Sequence, residues 1–281
     1  MSNRTNPNRG GYFYRIRTAL VRPLTERITN IIRCRRLIIQ TGICRFRAKH
    51  AGLKLGIWIA VLNPLLVMLA ISFVFTHIIQ LDIDNFPLFA LSGIFPWLFF
   101  SNCLLEAAFS ITSQQVLLHK FKVPAEALPL IVIFAEFLSF LVGCCIIYPI
   151  FLVFNPQIIV LLPVLLLVLA AFIIFLFGLG LALATLNVIS PDIGQSLGIF
   201  IMFWFWVTPV FYSLDMIPVK FFWLSQLNPM THFITCFRSL LFYAQLPAGE
   251  VFLAIAGCAA GSLVCGAYVF SKWETSMLKR I

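Results

Sequence analysis

Charge is scarce in this 281-residue chain: 11% of its residues are charged, where soluble domains carry about 25%. Acid is scarcer still, with ten Asp and Glu against twenty Lys and Arg. That deficit excludes an ordinary soluble domain, since 61% of the residues are hydrophobic and the mean hydropathy is +1.00. Two signatures of chemistry are also missing. No GxxxxGKS or GxxxxGKT loop is present to cradle a nucleotide's phosphates, and no HExxH pair to hold zinc. The eight cysteines show no CxxC spacing and no pairing of loop positions. They read as small hydrophobes, which excludes a disulfide framework and a zinc knuckle.

What is there is oil in long runs. A helix needs roughly 20 apolar residues to cross a bilayer, and six stretches qualify: Leu55 to Ile79, Phe86 to Ile111, Ala127 to Phe154, Ile158 to Val188, Leu197 to Leu214 and Val251 to Phe270. The expected fold is an all-α integral membrane protein with six transmembrane helices. The first run follows some 54 polar and basic residues, an order unlike a cleavable signal peptide. Residues 1–54 hold thirteen Lys and Arg against the single acid Glu26. By the positive-inside rule this arm is cytoplasmic. Six spans from that start leave only Lys220 and Arg238 outside and place the tail 274–281 inside.

Within the arm, Leu24, Ile28, Ile31, Ile32, Ile39, Ile43 and Phe46 recur at helical spacing among arginines. They predict an amphipathic helix on the inner membrane surface. No nucleic-acid-reading motif accompanies the positive charge, so nucleic acid is not an expected partner. The external connections are short at Gln80 to Asn85 and at Asn155-Pro156-Gln157, and long from Asp215 to Glu250. The long one is apolar and aromatic but broken by Pro218, Pro229 and Pro247 and carries two cations. It is expected to form re-entrant helices over about 215–247, because irregular backbone at membrane depth must be covered by protein or line a cavity.

Several polar positions ask for an explanation. Glu106 and Glu136 fall inside the second and third runs, where ionisable groups are costly and by default functional. They mark either an ion path or a structural pairing inside the bundle, with Asn102, Ser110 and Ser139 as neighbouring polar groups. His77 and Asp82 have the HxxxxD spacing of glycerolipid acyltransferases, set against a loop-edge histidine and a solvated aspartate. Trp204, Trp206, Phe211 and Tyr212 crowd one end of the fifth run, as interfacial anchors or as faces on which a sugar can slide. Gly257 and Gly261 have the small-xxx-small spacing of close helix contacts. The charged break VLLHKFKVPAEALPL, Val116 to Leu130, must surface from the membrane.

Taken in order, these segments resemble the permease subunit of type-2 ABC exporters, in the branch that moves O-antigen, capsule or teichoic-acid polysaccharides. The resemblance rests on LGIWIAVLNPLL with Gly56 and Pro64, FPLFALSGIFPWLFFSN with Gly93, Pro96, Trp97 and Asn102, and HKFKVPAEALPL with Lys120, Pro124 and Pro129. It continues through LNVISPDIGQ with Asn187 and Asp192, then TPVFY and LNPMTHFITCFR with Thr208, Tyr212, Asn228, Pro229 and Arg238. Trp58 stands one position early, Ala125 replaces a common basic residue, and Ser190-Pro191 replaces a frequent arginine.

The resemblance implies a transport subunit of the bacterial plasma (inner) membrane without covalent chemistry. It implies pairing with a second copy and docking on two copies of an ATP-binding subunit, which carries the ATP and magnesium; this chain holds no cofactor of its own. The transmembrane domain is then 55–273, with a coupling helix at about 113–126 that uses His119, Lys120, Lys122, Pro124 and Glu126, joined by Asp192. A lipid-linked glycan would pass Trp97, Trp204, Trp206, Phe211 and Tyr212 and leave by the exit region of Asn228, Pro229 and Arg238. Competing expectations are export of a lipid, drug or other small molecule by the same fold, and an ion-coupled carrier built on Glu106 and Glu136.

Overall fold

The computed structural model describes residues 29, 32–51, 58–78, 83–114, 118 and 123–280. Every regular element among them is helical. The order is α1 (Arg35–Ala51), α2 (Trp58–Phe73), a π-turn (Val74–Ile78), α3 (Phe86–Ala108), α4 (Ala127–Phe154), α5 (Ile158–Ile189), α6 (Asp192–Val207), α7 (Phe222–Leu227), α8 (Pro229–Leu241) and α9 (Gly249–Leu278).

Four of these, α3, α4, α5 and α9, are long and apolar enough to cross a membrane, and α2 with its π-turn and α6 are shorter apolar helices. The third and fourth runs become helices at almost the expected limits. The fifth does not, because its helix starts earlier, at Asp192, and stops at Val207 before the turn at Thr208 and Pro209. Its 16 residues rise only about 24 Å. Helix α9 runs on to Leu278, well past Phe270.

Two apolar cores mark the two ends of the bundle. Near one end, Ile38 of α1 packs with Val123 and Ala125, the first turn of α4, Val188 at the end of α5, and Phe270 and Met277 of α9. Arg280 donates to the carbonyl of Ile189 there, placing a cation on the negative end of the α5 dipole. The larger core runs from mid-bundle to the opposite end and is dominated by phenylalanine. Phe99 stacks on Phe140 at 4.6 Å, and Phe172 meets both Phe233 and Phe237 of α8. Asn155 closes that end by donating to the Phe242 carbonyl at 2.9 Å. The tight turn expected at Asn155-Pro156-Gln157 is present.

Helices α5 and α9 form the most extensive pair, and small residues are the reason. A Cβ added at Gly178 would lie 2.3 Å from the Ser262 backbone, and one at Gly266 would lie 2.2 Å from the Gly178 carbonyl oxygen. The close contact therefore uses Ser262 and Gly266. Gly257 and Gly261, the pair singled out by spacing, face open space within the chain. Gly266→Leu is accordingly expected to lower stability in mixed micelles by at least the ~1–3 kcal/mol of overpacking, whereas Gly261→Leu leaves an SDS-unfolding curve of the single chain unchanged.

Candidate functional site

Glu106 and Glu136 reach into the end of the bundle that α1 covers. Helix α1 lies against α4, and a Cβ on Gly42 would come within 2.5 Å of the Phe134 ring. That close approach sets the helix deep enough for two cations one turn apart to point at the two acids. Arg45 Nη2 donates to Glu106 Oε2 at 2.5 Å, and Lys49 Nζ to Glu136 Oε1 at 2.6 Å. The environments differ. The Glu136 side chain is 4% exposed, while those of Lys49, Arg45 and Glu106 are between 28% and 42% exposed.

The neighbours suggested by sequence do not supply the pairing. Asn102 is exposed, Ser139 donates to the Ala135 carbonyl, and the Ser110 hydroxyl has no partner among the described residues. The buried face of α1 also differs from the isoleucine pattern. Ile38 and Gly42 face the bundle, while Ile32 and Ile39 are exposed.

A second polar cluster holds the re-entrant segment. Trp204 Nε1 donates to Asn228 Oδ1 at 2.8 Å, and Asn228 Nδ2 donates to Thr208 Oγ1 at 2.8 Å. Asn228 Oδ1 also accepts from the Met230 amide, capping α8, with Pro229 at its first position. Asn228 thus stands at the depth of Trp204. From there α8 climbs past Phe172 to the Asn155 turn, so α7 and α8 dip into the bundle and return.

Arg238 lies within α8, 5% exposed. It donates to the carbonyls of Val210 at 2.6 Å and Tyr212 at 3.3 Å, and its guanidinium lies 3.8 Å from the centre of the Phe89 ring. No described carboxylate pairs with it. Carbonyl dipoles and a ring face take that place, and they fix the Thr208 to Tyr212 turn against Gly93, where a Cβ would meet the Val210 oxygen.

The remaining aromatic candidates divide. Trp97 is buried against Phe100 and Phe205, and Trp204 lies edge-on to Phe100. Phe211 is buried between Phe75 and Trp206. Trp206 is exposed, and Tyr212, half-buried, donates its hydroxyl to the Trp206 carbonyl.

Of the coupling candidates, His119, Lys120 and Lys122 lie outside the described residues, as does Asp82 of the HxxxxD string. Pro124 and Glu126 form the turn that starts α4, with the Ala127 amide bonded to the Pro124 carbonyl. Asp192 is exposed in the first turn of α6. Asn187, noted in sequence without a role, joins three elements there. Its side chain donates to the Ala108 carbonyl at 2.9 Å and accepts from the Gly194 amide at 3.0 Å. Next to it, Gly194-Gln195-Ser196-Leu197-Gly198 has the GxSxG spacing of a nucleophile elbow. It lies within a helix that no strand precedes, and Ser196 donates to the Asp192 carbonyl, so the strand-to-helix elbow is lacking.

The described residues thus form an all-helical bundle with four helices long and apolar enough to cross a membrane, against which α1 and α8 pack. The sequence matches the ABC-2 type transporter family over residues 43–242, and the chain belongs to that family. Among its relatives is the O-antigen export system permease protein RfbA of Klebsiella pneumoniae, 30% identical over 196 residues, or 69% of this chain and 75% of that one. The protein of the same name from Myxococcus xanthus is 28% identical over 254 residues, covering 87% of this chain and 95% of its own length.

Two measurements probe these clusters. Lys49→Met leaves Glu136 buried and unpaired, and is expected to cost about 3 kcal/mol, the lower end for breaking a buried pair because Lys49 is half-exposed. Lys49→Met with Glu136→Leu recovers most of it, a coupling that a double-mutant cycle in SDS-unfolding titrations reads directly. Asn228→Ala orphans the Trp204 indole N–H and the Met230 amide, while Thr208 keeps its bond to the Trp204 carbonyl; at about 1–3 kcal/mol for each unsatisfied group limited proteolysis should cut the 213–228 segment faster than in the parent.

Proposed function

We propose that this chain is the membrane-spanning subunit of an ATP-driven exporter that moves a lipid-linked polysaccharide across the bacterial inner membrane. The observation that carries this reading is the similarity to O-antigen export permeases, which extends over 95% of the length of the Myxococcus xanthus protein. ATP is hydrolysed on two separate partner subunits, in keeping with the missing phosphate loop. The excess of Lys and Arg before α2 and in the α3 to α4 connection supports cytoplasmic positions for both.

Two copies pair to enclose the pathway. In support, α6 is too short to match a bilayer of about 30 Å and exposes Ile199, Phe200, Met202, Phe203 and Trp206, a face better covered by protein than by mismatched lipid. The connection before α4 receives the partner's stroke. Its described part, Val123 and Ala125, is buried in one core with Ile38 of α1, so displacement of the loop is felt by α1.

An ion-coupled carrier loses its support, because both candidate carboxylates are ion-paired to α1. Charge reversal at Lys120 and Lys122 together is expected to reduce surface glycan to the level of a strain lacking this chain, with membrane insertion unchanged and an ATPase still expressed. Undiminished export by that double variant, judged by immunoblot of surface glycan, overturns the coupling assignment. Failure of any ATP-binding protein to copurify with the parent chain in mild detergent overturns the ATP-driven reading.

A further inference from the structure

Between the π-turn after α2 and the start of α3, at the end of the bundle away from α1, lies a cavity of about 610 Å3. That volume falls in the range of small-ligand sites, about 300–1,000 Å3. Leu69, Ser72, Phe73, Thr76, His77 and Asn85 contribute to its wall. Ser72 is 7% exposed, and its hydroxyl has no hydrogen-bond partner among the described residues. His77 stacks on Phe73, with centroids 5.2 Å and planes 24° apart, and Phe73 is 61% exposed. None of the five residues of the π-turn is fully buried, and such turns recur at functional sites. Asn85 holds a left-handed conformation, φ 52°, at the cavity rim.

These features select a ligand chemistry. Two hydroxyls and an amide stand beside the stacked Phe73 and His77 rings, in a lining otherwise made by Leu69, Ile83, Phe86 and Pro87. A hydrocarbon tail meets the rings but offers nothing to the hydroxyls. A phosphate finds no Lys or Arg among the described residues of the lining. A sugar ring matches both, with an apolar C–H face for Phe73 and His77 and an edge of hydroxyls for Ser72, Thr76 and Asn85.

We propose that this cavity is a subsite for one uncharged pyranose unit of the exported chain, an inference that rests on the glycan-export reading. The subsite holds a sugar at the far end of the pathway, separate from the aromatic cluster around Trp204.

The test uses the complete exporter in cells that make the glycan, with the photoreactive residue p-benzoylphenylalanine placed at Thr76, separately at Phe73, and, as a control outside the cavity, at Leu253 of α9, which is 76% exposed. After irradiation the purified chain is stained for carbohydrate by periodate and hydrazide, and adducts are weighed by mass spectrometry. The expected result is a size-heterogeneous carbohydrate adduct at 73 and 76, absent at 253 and absent in cells that cannot synthesise the glycan. Ser72→Ala placed behind the probe at 76 should reduce that adduct. Phospholipid adducts alone at 73 and 76, or no adduct, overturn the subsite. A strain lacking this chain separates the two claims: unchanged surface glycan refutes glycan export itself, whereas lost surface glycan with no sugar adduct refutes only the subsite.

Discussion

Glu136 sets the terms for the whole α1-facing end of the molecule. A carboxylate placed nine residues into an apolar helix, about 13 Å from its start, is costly to bury without a partner, and lipid supplies none. The partner comes from outside the bundle, on Lys49 of α1. This one pair converts a basic amphipathic arm, which sequence alone would leave on the membrane surface, into an integral wall of the domain. Arg45 and Glu106 repeat the interaction one turn away, and Gly42 permits it by letting α1 approach the Phe134 ring. The contacts are interdependent: a bulkier residue at position 42 would move both cations away from both acids.

The same rule governs the middle of the bundle. Where the backbone leaves helical geometry, at Thr208 to Tyr212 and again at Asn228, the freed carbonyls and amides need internal partners. Asn228 uses its amide oxygen twice and its nitrogen once, and Arg238 covers two carbonyls that no helix satisfies. These side chains make the re-entrant hairpin possible, and the aromatic residues around it are as much its packing as a candidate pathway. Trp204 illustrates the overlap, since its indole N–H is committed to Asn228 while its ring braces Phe100.

Much of the fold was legible because hydrophobic run length is a strong signal in lipid. The limits of α4 and α5 agree with the sequence reading to within a residue, and the re-entrant segment was visible in Pro218, Pro229 and two cations within an apolar stretch. Less legible were facts that depend on distant neighbours. The isoleucines of the arm suggested one buried face, but burial follows Gly42 and Ile38, because a small residue opposite Phe134 matters more than an apolar one facing lipid. Spacing chose Gly257 and Gly261, yet a GxxxG string carries no information about which side of a helix meets a neighbour. The partners of Glu106 and Glu136 lie 61 and 87 positions away. Their only local clue was four-residue spacing between Arg45 and Lys49, which any basic helix shares.

The two ends of the bundle differ in how they are held, and that difference bears on how an applied force would spread. Around Ile38 the core joins the turn before α4, the end of α5 and the end of α9, and the ion pairs add α3. Sliding α1 along α4 would leave Glu136 buried without its cation, so the pair ties α1 to α4. At the opposite end the π-turn after α2 has no fully buried residues, and it touches its neighbours through Phe75, stacked on Phe86 and tilted against Phe211. Ring contacts tolerate sliding in a way that a buried ion pair does not.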